Sequence, residues 1–339
     1  MWLTRRDSSI LVRLIEIYTS THQPVSSAQL APLVCLSCSG VRKELQKLEA
    51  YGFIYKPSQS SGRIPTNKGI KFFLKQVIDN LKVKPEDIPL PEIDDWDFNN
   101  ISDNCLSLLT TQTHTIGFIF LNSIFDLNFK HIRLLKVGPS RVMFIIQSLN
   151  NTTFSKIFKT RTNYAETDLK NWEAIFNREF KGRTLRNTFK SIRNKLFKEK
   201  EKYLKIYEEL YFLLGNEDLK TAQLFFKGTL NLLDSDLVNP ANVKKLLRTL
   251  EEKERLTRFL KDILKSDVKS PIVALGTDTG ISDLDDFILI FSKFYYSRNP
   301  IGNIGVIGPK FMAYPNTISQ VEVFSSYFSK ILSNKPTEV

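Results

Sequence analysis

Cys35-Leu36-Ser37-Cys38 sets two thiols three positions apart, the spacing of a thiol–disulfide exchange motif or of half a tetrahedral zinc site. Neither use is completed by the rest of the chain. The remaining cysteine is Cys105 and the nearest histidine is His22, so four ligands do not assemble in sequence, and the flanks lack the strand that precedes a thioredoxin-like pair. Gly302, Gly305 and Gly308 are spaced like a phosphate cradle, but no Lys-Ser/Thr follows, and the interleaved Ile and Val fit a buried strand. Asp278, Asp283, Asp285 and Asp286 offer metal-binding oxygens and fit a solvated turn equally well. His22, His114 and His131 are scattered, with no nucleophile motif beside them. We therefore expect no enzyme, no metal and no cofactor.

A different set of residues suits contact with a polyanion. Ser37, Ser39, Val41, Arg42 and Lys43 fall at the start of a predicted helix, with Gln46 and Lys47 one turn further. Hydroxyls and a guanidinium can hydrogen-bond base edges or phosphate, and ammonium groups neutralise phosphate. Gly40 leaves that helix without a side chain where it would approach a groove. Arg63 follows Ser60-Ser61-Gly62 at a predicted hairpin tip. It either reaches a phosphate or the minor groove, or pairs with a carboxylate within its own domain.

The elements that would position these groups follow from caps and periodicity. Thr4 caps a helix to about Ser20, with Ile10, Leu11, Leu14 and Ile15 at helical spacing. A short helix from Ser26 or Ser27 ends near Pro32, and a third from near Ser39 to Tyr51 buries Val41, Leu45 and Leu48. Gly52 suits the left-handed residue that ends it. Phe53–Tyr55 and Arg63–Pro65 read as a strand pair, and Thr66 caps a helix to about Leu81. Three helices and a hairpin are the winged helix-turn-helix plan. A Pro-rich acidic stretch from Lys84 to Pro91 then reads as a linker.

Beyond it the pattern turns α/β, with strands expected at 115–121, 131–137, 141–147, 271–275, 287–295 and 302–307. Between the strand groups lies a basic helical tract whose apolar stripe includes Leu196, Tyr203, Tyr207 and Leu210, which we expect to dimerise. Asn239-Pro240 opens another helix as N-cap and first-turn proline. The 339 residues carry a net charge of +12, unevenly: +8 over residues 1–84, −4 over 85–150, +9 over 151–205 and −1 over 206–339. Blocks of this kind point to polyanionic partners. No apolar run approaches the roughly 18 residues needed to span a bilayer, and no signal peptide is read at the N-terminus, so a cytoplasmic location is expected.

Ser60-Ser61-Gly62-Arg63-Ile64-Pro65-Thr66-Asn67-Lys68-Gly69, with Phe72 and Phe73, resembles the wing signature of the HrcA heat-inducible transcription repressors. Gln23-Pro24-Val25-Ser26-Ser27 and Val41-Arg42 resemble that family's second and recognition helices. Ile304 to Tyr314 is similar to its closing motif, and Arg133 and the Leu233–Leu260 region sit in the expected order. Cys38-Ser39-Gly40-Val41-Arg42-Lys43 stands where the family usually has Ser-Ala-Thr-Ile-Arg-Asn, which leaves the operator sequence open.

The resemblance implies an α+β protein with a winged helix (residues 1–83), a linker (84–94) and a GAF-like α/β domain (95–155 and 216–339) interrupted by a helical dimerising insertion (156–215). It further implies a homodimeric repressor of chaperone operons that binds a CIRCE-type inverted repeat in double-stranded DNA, with a GroEL-type chaperonin as partner and no membrane association. The rival reading is a non-enzymatic nucleic-acid-binding or interaction protein whose operator specificity is lost or different.

Overall fold

The computed structural model describes residues 3–81, 90, 98–122, 128–148, 153–160, 162–196, 222–233, 238–296 and 299–333. At the N-terminus, α1 (Arg5–Thr21) begins with a reciprocal cap. Thr4 Oγ1 accepts from the Asp7 amide, and the Asp7 carboxylate accepts from the Thr4 amide. Helix α2 (Ser27–Leu30) is capped by Ser26 with Gln29 in the same way and tightens into a 3₁₀ turn over Ala31–Leu33, where Pro32 sits. Helix α3 (Cys38–Ala50) starts at Ser37, whose hydroxyl accepts from the Gly40 amide. Gly52, at φ +73°, turns the chain out of α3. Strands β1 (Ile54–Tyr55) and β2 (Ile64–Pro65) form the expected hairpin, and Thr66 caps α4 (Asn67–Asp79).

One stripe of each helix fills the small N-terminal core. Ile10, Leu11, Leu14 and Ile15 of α1 meet Val41, Leu45 and Leu48 of α3 and Ile70, Phe73 and Leu74 of α4, all buried. Each such side chain contributes about 1.5–3 kcal/mol by leaving water.

The larger body is built on a five-stranded antiparallel sheet in the order β7-β3-β10-β9-β8: β3 (Ile116–Leu121), β7 (Gln223–Lys227), β8 (Ile272–Leu275), β9 (Phe287–Tyr296) and β10 (Asn299–Pro309). Helices cover both faces. Ile119, Ile290, Ile304 and Val306 look toward α5 (Phe98–Thr113) and the long C-terminal helix. Phe118, Phe120, Leu289 and Phe291 look toward the helices Pro240–Glu252 and Glu254–Lys265. Alternate residues of one strand thus serve different cores, which is why these strands read as unbroken apolar runs.

A second sheet, β4-β5-β6, stands apart from the first: β4 (Phe129–Gly138), β5 (Arg141–Ser148) and β6 (Thr153–Lys159). One face is covered by α6 (Glu166–Phe180), where Phe176 lies 5.3 Å from Phe129 between ring centres. The Asn177 side chain exchanges two hydrogen bonds with the Ile132 backbone, both 2.8 Å. Helix α7 (Leu185–Leu196) follows. Because β7 returns beside β3, the excursion from the main sheet occupies residues 122–222. The start expected at 156 falls inside β6, and the strands expected at 131–137 and 141–147 belong to the small sheet. Their hairpin and alternation were readable; the sheet they join is a consecutive meander completed by β6.

The remaining helices are α8 (Pro240–Glu252), capped by Asn239, α9 (Glu254–Lys265) and α10 (Tyr314–Ser333). The N-terminal unit docks on the body by edge-on contact of Tyr18 with Phe311 (4.6 Å between ring centres), by Phe73 against Tyr314, and by a Lys71–Asp278 ion pair of 2.5 Å. Among the described residues, no helix is long and apolar enough to cross a membrane.

Candidate nucleic-acid interface

Helix α3 carries its buried stripe on one side and Arg42, Lys43 and Gln46 exposed on the other. Its first turn is also open: Ser37, Cys38 and Ser39 are exposed. Two of these hydroxyls already have work. Ser37 caps the helix, and the Ser37 and Ser39 oxygens lie 3.0 Å apart in a hydrogen bond. Arg42 donates from Nε to Ser27 Oγ at 3.3 Å, which steers the guanidinium along the α2–α3 side. That bond leaves its two terminal nitrogens for an external acceptor, the fork that suits a guanine edge or a phosphate.

Two expected contacts take other roles. Lys47 does not stand free on the outer face: its Nζ lies 2.6 Å from the buried carboxylate of Asp7, and Glu44 is 4.0 Å away on the other side. Burial opposes ionisation of Asp7, yet the Lys47 ammonium and the Thr4 amide and hydroxyl hold its pKa down at about 2. The same bond to Asp7 raises Lys47. This ion pair ties α1 to α3 and so fixes the orientation of the exposed face.

Arg63 is the second, and of the two readings open for it the geometry matches pairing with a carboxylate of its own domain. The exposed tip of the hairpin is Pro57–Ser60, closed by a Ser61 amide bond to the Ser58 carbonyl. Arg63 lies further in, its side chain 15% exposed, with Nε 3.6 Å from Glu49 of α3. Its amide and carbonyl both bond Val25, adding a third edge to the hairpin. Gly62 permits that approach, since a Cβ there would lie 2.6 Å from the Pro24 backbone. The partners sit fourteen and thirty-eight residues away in sequence, beyond what local pattern reports. Lys56 is the cation nearer the tip, and its Nζ donates to the Gln59 carbonyl; the sequence pattern did not single it out.

The other candidate chemistries are used up by the fold. Cys35 and Cys38 are exposed, with no third metal-ligating group gathered around them among the described residues. Asp278 pairs with Lys71 and accepts from the Leu275 amide, Asp283 accepts from Thr249, and Asp286 accepts from Asn242. Gly302, Gly305 and Gly308 lie in β10 without open space: a Cβ at Gly305 would stand 2.3 Å from the Ile290 carbonyl. Leu196 closes α7, and its side chain, with Tyr203, Tyr207 and Leu210, lies outside the described residues.

Fold and site together define an α+β protein with a helix-and-hairpin unit at one end, bearing an exposed basic helix, and a helix-covered antiparallel sheet behind it. The chain belongs to the HrcA family: the family model described as the HrcA protein C-terminal domain matches residues 100–318. Similarity runs on through the N-terminal unit. A heat-inducible transcription repressor HrcA from Methylobacillus flagellatus is 28% identical over 98% of this chain and 99% of its own length. Another, from Carboxydothermus hydrogenoformans, is 25% identical over the same shares. A solved structure titled a hypothetical protein shares the fold, with a TM-score of 0.64 at 20% identity over 98% of this chain and 99% of that one.

Proposed function

We propose that this protein represses heat-shock genes by binding an inverted-repeat operator of the CIRCE type as a dimer. The observation that carries the reading is the outward face of α3, where Arg42, Lys43 and Gln46 stand exposed over a buried Val41–Leu45–Leu48 stripe, in a chain of the HrcA family. In this reading residues 1–83 act as a winged helix-turn-helix. Helix α3 enters the major groove, with Ser39, Arg42, Lys43 and Gln46 toward the bases and phosphates and Ser37 holding the first turn. Lys47 and Arg63 position α3, through Asp7 and Glu49, rather than touching DNA.

The body acts as a non-enzymatic GAF-like domain, and the 122–222 excursion supplies the dimer contact. What supports that contact is the open face of the small sheet. Leu135, Met143 and Ile157 fall in one cross-strand row, with Leu135 and Ile157 exposed and Val137 exposed beside them. A two-fold dimer matches the symmetry of an inverted repeat. A GroEL-type chaperonin is proposed as the partner that favours the active form.

The test is a binding titration at physiological salt with the inverted repeat and a scrambled duplex, with and without chaperonin. A repressor keeps a large preference for its operator, which Arg42→Ala lowers by about 1–3 kcal/mol. Equal, purely salt-dependent binding to both duplexes would support the rival reading of a charge-driven binder.

A further inference from the structure

Among the described residues, β10 packs tightly at its glycines and helices cover both sides of the main sheet. Space opens elsewhere. A cleft of about 490 Å³ runs along the seam where the N-terminal unit meets the body. That is within the range of sites for small organic ligands, about 300–1,000 Å³. Tyr18 and Tyr55 line it from the N-terminal side; Asn239, Asn242, Lys310 and Phe311 line it from the body.

The chemistry of these walls is specific. Three aromatic rings offer flat apolar contact. A phenol is a donor at neutral pH, and burial, with Tyr55 close by, raises the Tyr18 pKa further. Asn239 uses its carbonyl oxygen to cap α8, accepting from the Ala241 amide at 2.9 Å, and keeps its NH₂. Asn242 uses its NH₂ on Asp286 at 2.5 Å and keeps its carbonyl oxygen. One carboxamide therefore donates and the other accepts, which is the pairing a purine edge presents. Asp286 also lines the cleft, its carboxylate accepting from Asn242 and remaining anionic, while the half-buried Lys310 ammonium has no acceptor among the described residues. It is a counter-charge for a phosphate placed beyond the ring.

We infer that the seam cleft binds a purine nucleotide of monophosphate size, stacked on the tyrosines and held at its phosphate by Lys310. A ligand there touches both units at once. Its binding free energy therefore adds to the docking of one on the other, and whatever parts the seam weakens the ligand in equal measure. This inference stands on the cleft alone and does not rest on the operator reading.

The experiment is calorimetric titration of the full chain with adenosine 5′-monophosphate, with adenosine and inorganic phosphate as separate arms. Saturable one-to-one binding is expected, tighter for the nucleotide than for either fragment. Lys310→Met should weaken it about tenfold or more, the worth of a charge-assisted hydrogen bond. Asn242→Trp, which fills the cleft, should abolish it, with thermal unfolding checking that both variants fold. No saturable binding at millimolar nucleotide would overturn the inference. So would binding that survives Lys310→Met unchanged, or that is lost in Arg42→Ala instead, which would put the nucleotide on α3.

Discussion

The N-terminal unit and the sheet body each take a carboxylic acid out of water, and they treat it in opposite ways. Asp7 is buried on α1 but surrounded by a lysine, an amide and a hydroxyl, so its pKa falls to about 2. Glu322 is half-buried on α10 with the Ser292 hydroxyl as its hydrogen-bond partner; burial outweighs that bond and raises its pKa. The N-terminal unit is small and leaves one face of α3 exposed, so it fixes that helix by ion pairs and caps. The body is held by packing on both sides of a sheet, with hydrogen bonds such as Asn303 to the Leu260 carbonyl and Ser325 to the Lys293 carbonyl joining strands to helices. Electrostatics has been placed where a surface must be aimed.

Removing packing from the body should have the largest effect. Phe291, fully buried between β9 and the α8–α9 side, should cost about 3–5 kcal/mol as Phe291→Ala in urea unfolding. A loss far below that would mean the sheet is not the source of the body's stability. Asp7→Ala removes a cap partner and leaves Lys47 only its longer contact with Glu44, and should cost about 1–3 kcal/mol.

The two acids also give pH dependences of opposite sign. With its folded pKa depressed, Asp7 contributes stability that is present above its unfolded pKa of about 3.9 and fades as pH falls through about 2. With its folded pKa raised, Glu322 contributes below its unfolded value of about 4.3, and that contribution is lost as pH rises through the folded pKa. Glu322→Gln should therefore flatten the decline between about 4.3 and the raised folded pKa, while Asp7→Ala leaves that branch unchanged. Identical profiles for the two variants would erase the contrast. The smallest stability effect belongs to the small sheet's open face: Leu135→Lys with Ile157→Lys should leave the melting temperature nearly unchanged yet give monomers by analytical ultracentrifugation. A dimer that persists would move the contact elsewhere in the excursion.

Local chemistry made the N-terminal unit legible. Thr4, Ser37 and Thr66 each announce a helix start, Gly52 a stop, and the i, i+4, i+7 stripe of α3 its buried side. The other strands of the main sheet were legible as apolar runs; β7, and β6 of the small sheet, were not, because Gln223–Lys227 and Thr153–Lys159 sit beside a basic tract that reads as helical. The exposure of Arg42, Lys43 and Gln46 follows from helical period alone. The engagement of Lys47 with Asp7 and of Arg63 with Glu49 does not, since each depends on how two elements cross. Seam and cleft were invisible for the same reason: their residues come from the N-terminal unit and from segments beyond residue 237.

Leu121 and Gln223 face each other as the last and first partners of β3 and β7. The hundred residues between them leave and rejoin the main sheet at adjacent points, which is the geometry of a hairpin with an entire module in place of its turn. Such a module is portable. Joining Leu121 to Gln223 through a two-residue Asn-Gly turn would preserve every pairing of the main sheet while deleting the small one. Lengthening, shrinking or exchanging the module would likewise leave the sheet's register untouched, so the module and the sheet that carries it are free to diverge at different rates.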